Sequence, residues 1–353
     1  MILTRVSLAQ FRSWRRLDLA LDGRPVALFG PNGSGKTNVL EALSMLAPGR
    51  GLRGAPPAEQ GRLAVGAGWR VRASLGEHEI QTGAAPGTSR EVLIDDKPAP
   101  QAALGRLMRV IWLVPAMDRL WSDAPETRRR FLDRLTLSFQ PDHAETALAY
   151  DKAMRERNRL LRDQIADAHW YAALEAQMGE AGARLTANRQ AAIAGLAAQT
   201  RDEGGFPVAH LALLPGEGFA DETEAATITA RLAEGRRRDM AAGRSLTGPH
   251  RADLGAHWGP DATPAALSST GEQKALLISL ILANARALEA DHPLLLLDEI
   301  AAHLDANRRA ALYAQLASLQ AQVVMTGTGP ELFEALDGRL LGVAREDGES
   351  RLI

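Results

Sequence analysis

Residues 30–37 read Gly-Pro-Asn-Gly-Ser-Gly-Lys-Thr, a complete G-x-x-x-x-G-K-[ST] phosphate loop. This pattern works only between a strand and a helix, because the loop must turn off a sheet and aim its backbone N–H groups at anionic oxygens. The sequence supplies both neighbours. An apolar run, residues 25–29, precedes the loop, and a helix-like stretch, residues 38–46, follows it. Gly30, Gly33 and Gly35 let the backbone curl, and the helix adds its positive end. Gly30, Pro31, Asn32, Gly33, Ser34, Gly35, Lys36, Thr37 and Asn38 are therefore expected to touch a nucleotide. Lys36 would neutralise the β- and γ-phosphates of ATP, and Thr37 would hold Mg²⁺.

Far downstream, residues 294–299 read Leu-Leu-Leu-Leu-Asp-Glu. Four consecutive leucines suit a strand buried on both faces. The acidic pair then falls at the strand's C-terminal end, where ligands collect in open α/β sheets. Asp298 is the expected second Mg²⁺ residue. Glu299 is the expected group that orients or deprotonates an attacking water, with Lys36 and Asp298 as its catalytic companions.

Composition excludes several classes. The 353 residues suffice for two domains, and 46% hydrophobic content supplies a real core. The apolar run at residues 275–285 is too short to cross a bilayer and is flanked by Lys274 and Arg286, so a buried helix is expected. No signal-peptide pattern opens the chain, and cysteine is absent, which makes the cytoplasm the expected compartment and excludes thiolate metal sites. The net charge of −2 supplies no global attraction to nucleic acid, so any such contact needs local clusters.

Periodicity divides the chain. Residues 2–30 alternate as two strands leading into the loop, and residues 69–75, 78–82 and 90–94 read as a small antiparallel patch closed by the turn Asp95-Asp96-Lys97-Pro98. Residues 109–114 form another buried strand. Residues 126–199 turn helical, and neither Gly nor Pro interrupts 142–178, which predicts a pair of antiparallel helices of modest reach. A short strand near 208–214 and a helix over 223–242 follow. The α/β pattern then returns with strands near 253–258, 294–298 and 322–326 and helices over 271–290 and 306–319. The predicted fold is an α/β ATPase head, with a mixed sheet carrying the phosphate loop and a small antiparallel β patch. Residues 1–120 and 246–353 make the head, and a mostly helical arm, residues 121–245, is inserted in it.

Residues 267–274, Leu-Ser-Ser-Thr-Gly-Glu-Gln-Lys, resemble the signature motif of ABC-type ATPases. Here a helix N-terminus again offers an anion site, with the Ser269 hydroxyl, the Gly271 N–H and Glu272 at the nucleotide. A plain helix cap, with Ser269 or Thr270 as N-cap and Glu272 in the first turn, is also physically sound, but the place of the segment ahead of the Leu-Leu-Leu-Leu-Asp-Glu strand favours the signature reading. One chain does not need two phosphate-binding helix ends, and the resemblance implies dimers in which one subunit's signature covers the other's ATP. Residues 301–305, Ala-Ala-His-Leu-Asp, look like the following D-loop.

Three further segments narrow the family. Residues 6–14 resemble the N-terminal L-x-x-F-R-x-Y/W element of RecF and SMC proteins. Residues 126–133, Glu-Thr-Arg-Arg-Arg-Phe-Leu-Asp, and 247–254, Thr-Gly-Pro-His-Arg-Ala-Asp-Leu, are similar to segments of the RecF family. That likeness implies a DNA-binding ATPase of recombinational repair and replication restart. It further implies an ATP-dependent homodimer on gapped or duplex DNA, slow DNA-stimulated hydrolysis as a release switch, and the partners RecR and possibly RecO, with no membrane. Rival readings are a transporter ATPase subunit and a clamp that binds ATP without turnover. No glutamine of a Q-loop stands near 114–118, and Thr326-Gly327-Thr328 occupies the place of a switch histidine, which fits slow hydrolysis. Arg12 is expected near the nucleotide. Trp14 belongs either there or in the core. His250 and Arg251 either anchor the arm or line a DNA groove. Between Arg128 and Arg162 nine basic residues face five acidic ones, and Arg236, Arg237 and Arg238 add a second run. The few aromatic residues among them, Phe131, Phe139 and Tyr150, form no interleaving that suggests base stacking, so phosphate contact without sequence preference is expected.

Overall fold

The computed structural model describes residues 1–62, 66, 68–216 and 223–353. The chain forms two compact units: residues 1–118, 199–208 and 274–353, and residues 119–198 and 209–273.

The first unit holds two sheets. One is antiparallel, in the order β2-β1-β4-β5-β6-β7. Its strands are β1 (Leu3–Phe11), β2 (Trp14–Ala20), β4 (Trp69–Leu75), β5 (His78–Ala84), β6 (Glu91–Ile94) and β7 (Lys97–Pro98). Alternation places Val6, Leu8, Leu17, Leu19, Val71 and Ala73 on one buried face. Asp95 and Asp96 both adopt positive φ, the conformation a tight β-turn demands.

The other sheet is mixed, in the order β15-β14-β3-β13-β12-β8. It comprises β3 (Val26–Phe29), β8 (Val110–Leu113), β12 (Leu294–Leu297), β13 (Gln322–Gly327), β14 (Arg339–Glu346) and β15 (Glu349–Leu352). β3, β13, β12 and β8 run parallel, as does β14 beside β3, and β15 is antiparallel to β14. All four leucines of β12 are buried, as a central parallel strand requires. The helix α1 (Lys36–Ser44) follows the phosphate loop. The short helices α2 (Pro57–Gln60) and α3 (Leu104–Leu107) lie in connections.

The second unit is mostly helical. It contains α4 (Pro125–Phe139), α5 (His143–Arg162), α6 (Ala168–Gln199), α7 (Ala225–Glu234) and α8 (Arg236–Ala242). The expected helix over 223–242 is two helices, joined at Gly235. A three-stranded antiparallel sheet joins them: β9 (His210–Leu214), β10 (Asp253–Trp258) and β11 (Thr263–Pro264), with β10 in the middle. This pairing places residues 246–273 with the helices, whereas 199–208 fall in the first unit. The compact units thus divide later in the sequence than the boundary at 245/246 expected from periodicity. Pairing of β9 with β10 is non-local, and helical periodicity carries no trace of it.

The helix α9 (Thr270–Ala287) begins at the signature motif, and α10 (Ala306–Ser318) lies between β12 and β13. No helix among the described residues is long and apolar enough to cross a membrane.

A salt-bridged lattice holds the second unit together. Arg157 is fully buried and binds Glu175 at 3.1 Å, Asp239 at 2.7 Å, Ser245 Oγ at 2.8 Å and the Leu232 carbonyl at 2.9 Å. Arg236 grips Glu175 with two hydrogen bonds. Arg128 makes a bidentate pair with Asp253, and Arg129 donates to the Ala252 carbonyl. Arg189 clamps Asp133 and the Pro249 carbonyl. The two segments that resemble RecF motifs are thus bound to each other. Arg128, Arg129, Arg157 and Arg236 serve as internal struts, so the basic runs counted in the sequence overstate the positive charge open to DNA. His250 is likewise structural, with Tyr150 Oη 2.8 Å from its Nδ1 and the Ser245 carbonyl 3.1 Å from its Nε2. Burial lowers its pKa to about 4, so it packs as the neutral imidazole.

Candidate nucleotide site

Parallel pairing of β3, β13 and β12 brings three strand ends to one edge of the mixed sheet. The phosphate loop leaves β3, Thr326 and Gly327 end β13, and Asp298 and Glu299 follow β12. Thr37 and Asp298, 261 positions apart, meet there with Thr37 Oγ1 donating to Asp298 Oδ1 at 2.8 Å. Thr326 Oγ1 donates to the same oxygen at 2.7 Å and accepts from the Glu299 N–H at 3.0 Å. Thr326 is fully buried. It is the residue that couples the two acids, and the sequence marked it only as the place where a histidine was missing.

The loop has the backbone its sequence demands. Gly30, Gly33 and Gly35 all take positive φ, with Gly35 at 107° immediately before α1. A Cβ on Gly30 would meet the Val343 carbonyl at 2.2 Å, and one on Gly35 would meet Ser350 Oγ at 2.2 Å. These glycines are required for close approach as well as for conformation. No side chain caps α1. Its first N–H groups are open to an anion, as the phosphate-loop reading requires.

Several side chains brace the loop from behind. β1 and β2 meet in a two-residue turn, Arg12-Ser13. Trp14 is fully buried and its indole donates to the Gly35 carbonyl at 2.9 Å, which assigns it to the core and to loop support. Ser13 Oγ accepts from Asn38 Nδ2 at 2.8 Å and from Ser350 Oγ at 2.6 Å, and Ser350 Oγ lies 2.5 Å from the Ser34 carbonyl. Arg12 holds the fully buried Glu41 with two bonds, 2.9 and 2.6 Å, and keeps 19% of its side chain exposed. Ser350 and the β14–β15 hairpin went unread in the sequence. The signal was present in Asp347-Gly348, a dipeptide that favours a tight hairpin, and both residues take positive φ.

The residues fit a nucleotide with its cation. Lys36 is buried and its ammonium donates to the Gly30 and Pro31 carbonyls at 2.8 and 2.9 Å. Burial lowers its pKa, and the charges of Glu299 and Asp298 oppose that shift, so the site is arranged around an ammonium. Ser34 Oγ is buried with no hydrogen-bond partner, an orphan polar group inside the loop. Thr37 and Asp298 form a pair of hard oxygen donors of the type Mg²⁺ uses when phosphates supply its other ligands. No group of three His, Cys, Asp or Glu side chains that could hold a metal occurs among the described residues. Glu299 sits in the left-handed region at φ 51°, a strained conformation common at reactive sites.

Residues 267–273 of the signature segment belong to the second unit. Ser269 is exposed, and its N–H and hydroxyl both bind the Glu272 carboxylate at 2.8 Å, while the Glu272 N–H points back at Ser269 Oγ from 3.4 Å. This is a capping box. Gly271 is exposed, with open space where a Cβ would stand. Lys274, one residue beyond Gln273, pairs with Asp118 at 3.3 Å inside the first unit. Asp305 caps α10 by accepting from the Arg308 N–H at 2.9 Å.

A phosphate loop joined to an acidic strand end, with an antiparallel sheet beside the mixed one, defines an ABC-type ATPase head. A head domain of an SMC protein derived from Pyrococcus furiosus shares the fold, with a TM-score of 0.57 at 14% identity over 99% of this chain and 95% of that one. A domain family described as "AAA domain, putative AbiEii toxin, Type IV TA system" matches residues 26–72. The chain belongs to the RecF family. It is 47% identical to the DNA replication and repair protein RecF of Caulobacter sp. (strain K31), over 97% of this chain and 95% of that relative. A structure of the recombination mediator protein RecF with ATP, in the RecFOR pathway, superimposes with a TM-score of 0.84 at 22% identity, covering 100% of this chain and 99% of the other.

Proposed function

We propose that the chain is an ATP-dependent DNA-binding switch of recombinational repair and replication restart. One observation carries this reading: Thr37 and Asp298 share a hydrogen bond of 2.8 Å at the mouth of a phosphate loop whose Ser34 hydroxyl has no partner. The loop amides and Lys36 bind the phosphates of ATP, with Arg12 at the rim. Thr37 and Asp298 hold Mg²⁺, which supplies Lewis-acid polarisation of the terminal phosphate. Glu299, oriented through Thr326, aligns a water and accepts its proton as the water attacks the γ-phosphorus and ADP leaves.

Ser269, Gly271 and Glu272 of a second copy complete the site, which makes ATP the glue of a homodimer. An ATP molecule touching both copies stabilises the dimer by its differential affinity, and dimerisation and DNA binding strengthen one another reciprocally. Slow hydrolysis then releases the DNA. Family membership supports DNA as the partner and RecR, possibly with RecO, as protein partners. The functional division proposed with it is a split head, residues 1–120 and 246–353, bearing an arm at 121–245.

Light scattering in the absence of nucleotide, with Mg-ADP and with Mg-ATP, each with and without a short gapped duplex, tests the scheme. The expected outcome is a dimer only with Mg-ATP, strengthened by DNA. A monomer under all conditions refutes it.

A further inference from the structure

The second unit carries an exposed tryptophan that the nucleotide site does not use. Trp170 is 64% exposed, near the start of α6, while Trp14, Trp69, Trp112 and Trp121 are buried. Its ring lines a cavity of ≈ 300 Å³ together with Lys152, Glu156, Arg159 and Leu160 of α5 and Leu174 and Gln177 of α6. That volume lies at the small end of pockets that accept compact ligands, about 300–1,000 Å³. An indole left in water forgoes its burial energy, and an exposed aromatic at the wall of a cleft is the informative exception to interior packing.

The charge beside it is specific. Lys152, Arg155, Arg159 and Arg162 recur at spacings of three and four along α5, which puts them on one helix face. All four are exposed, and no side-chain hydrogen bond or ion pair among the described residues holds them. They differ in this from Arg157 on the same helix, which is fully buried among carboxylates. Asp151 and Glu156 offset part of the charge and leave the stripe net positive. A Cβ added at Gly243 would lie 3.2 Å from Arg162 Cγ, so the end of the stripe neighbours the segment that carries the exposed Arg244. A flat aromatic surface beside a track of unpaired cations is the chemistry that recognises single-stranded nucleic acid: the ring stacks a base and the cations follow the phosphates. An apolar peptide would have no use for the cations, and an intact duplex no unpaired base to offer the ring.

We propose that Trp170 stacks an unpaired nucleobase in the α5–α6 cleft while Lys152, Arg155, Arg159 and Arg162 track the adjoining phosphates. Gln177 can donate to or accept from a base edge and Glu156 can accept from one, which favours no single base. The inference rests on the DNA-binding reading above and sharpens it: the arm would sense single-stranded character.

The test uses the full-length protein with Mg-ATP and follows binding of oligo(dT), a gapped duplex and a blunt duplex by fluorescence anisotropy. Tryptophan emission is recorded in parallel. Wild-type emission should quench on oligo(dT), and W170F should lose that quenching while retaining most of the affinity. W170A should weaken oligo(dT) binding about tenfold or more and leave blunt-duplex binding within about twofold. The double variant R155E/R159E should weaken both the oligo(dT) and the gapped substrate and flatten their salt dependence. Unchanged oligo(dT) affinity in W170A overturns the proposal. So does an equal loss for blunt duplex, which would mean a phosphate or structural role. If W170A binds every DNA normally but no longer binds RecR, the cleft is a protein-docking site and the proposal is again overturned. Should the wild-type chain bind no DNA at all, the broader reading fails with it, a result distinct from a defect confined to W170A.

Discussion

Replacing Thr326 by valine should slow ATP turnover while leaving nucleotide binding nearly intact. The swap keeps the shape of a fully buried side chain and removes only its hydroxyl. Two contacts vanish: the donation to Asp298 Oδ1 at 2.7 Å and the acceptance from the Glu299 N–H at 3.0 Å. A bond to a carboxylate is worth roughly 1.5–3 kcal/mol, and an orphaned buried N–H costs about 1–3 kcal/mol. Asp298 keeps its bond from Thr37, so the carboxylate stays anchored and part of that energy is retained. A net loss of about 2 kcal/mol in the positioning of Glu299 corresponds to a fall in kcat of roughly ten- to a hundredfold. Because the loop and Lys36 are untouched, KM for Mg-ATP should move by less than about threefold. Steady-state phosphate release with a DNA cofactor measures both quantities. Thr326→Ser keeps the hydroxyl and should restore most of the rate. If Thr326→Val turns over at the wild-type rate, or if Thr326→Ser is as slow as the valine variant, the hydroxyl does not orient Glu299 and the argument fails.

Three further outcomes are expected. Gly35→Ala forces an L side chain to φ 107° and drives its Cβ against Ser350 Oγ, so a fluorescent ATP analogue should bind about tenfold or more weakly. Arg157→Met strands the buried carboxylate of Asp239, takes from Glu175 one of its two arginines and leaves it Arg236, and should destabilise the chain by about 3–5 kcal/mol, read by urea denaturation, while Arg159→Met should barely register. The neutral, buried His250 binds fewer protons folded than unfolded, so stability is retained above its ordinary pKa of 6.5 and drains away as pH falls toward about 4. The drop is worth roughly 3 kcal/mol at its limit. Thermal melts between pH 7 and pH 4 should show it, and His250→Asn should flatten the slope.

The loop, the acidic strand and the order of most elements were legible because each has a local cause. Three glycines at fixed spacing before a Lys-Thr pair dictate a backbone path, and four leucines in a row dictate a strand buried on both faces. The predicted strands at 69–75, 109–114, 253–258 and 322–326 match β4, β8, β10 and β13 to within a residue. The pair of helices expected there is α5 and α6, but the position of the turn between them, residues 163–167, was not visible, since no Gly or Pro marks it. The β14–β15 hairpin was announced by Asp347-Gly348 and passed over.

What the sequence by itself determined is the chemistry on offer: phosphate-binding amides, an ammonium, a hydroxyl, two carboxylates and a second helix end bearing Ser269 and Glu272. What only tertiary structure decided is which groups act together. Strand order placed Thr326 between Asp298 and Glu299, and helix packing sorted arginines that look alike in the chain into buried struts such as Arg157 and open cations such as Arg159. Local propensity and periodicity are written within a few residues. Burial and partnership arise from contacts across as many as 337 positions, and no window along the chain contains them.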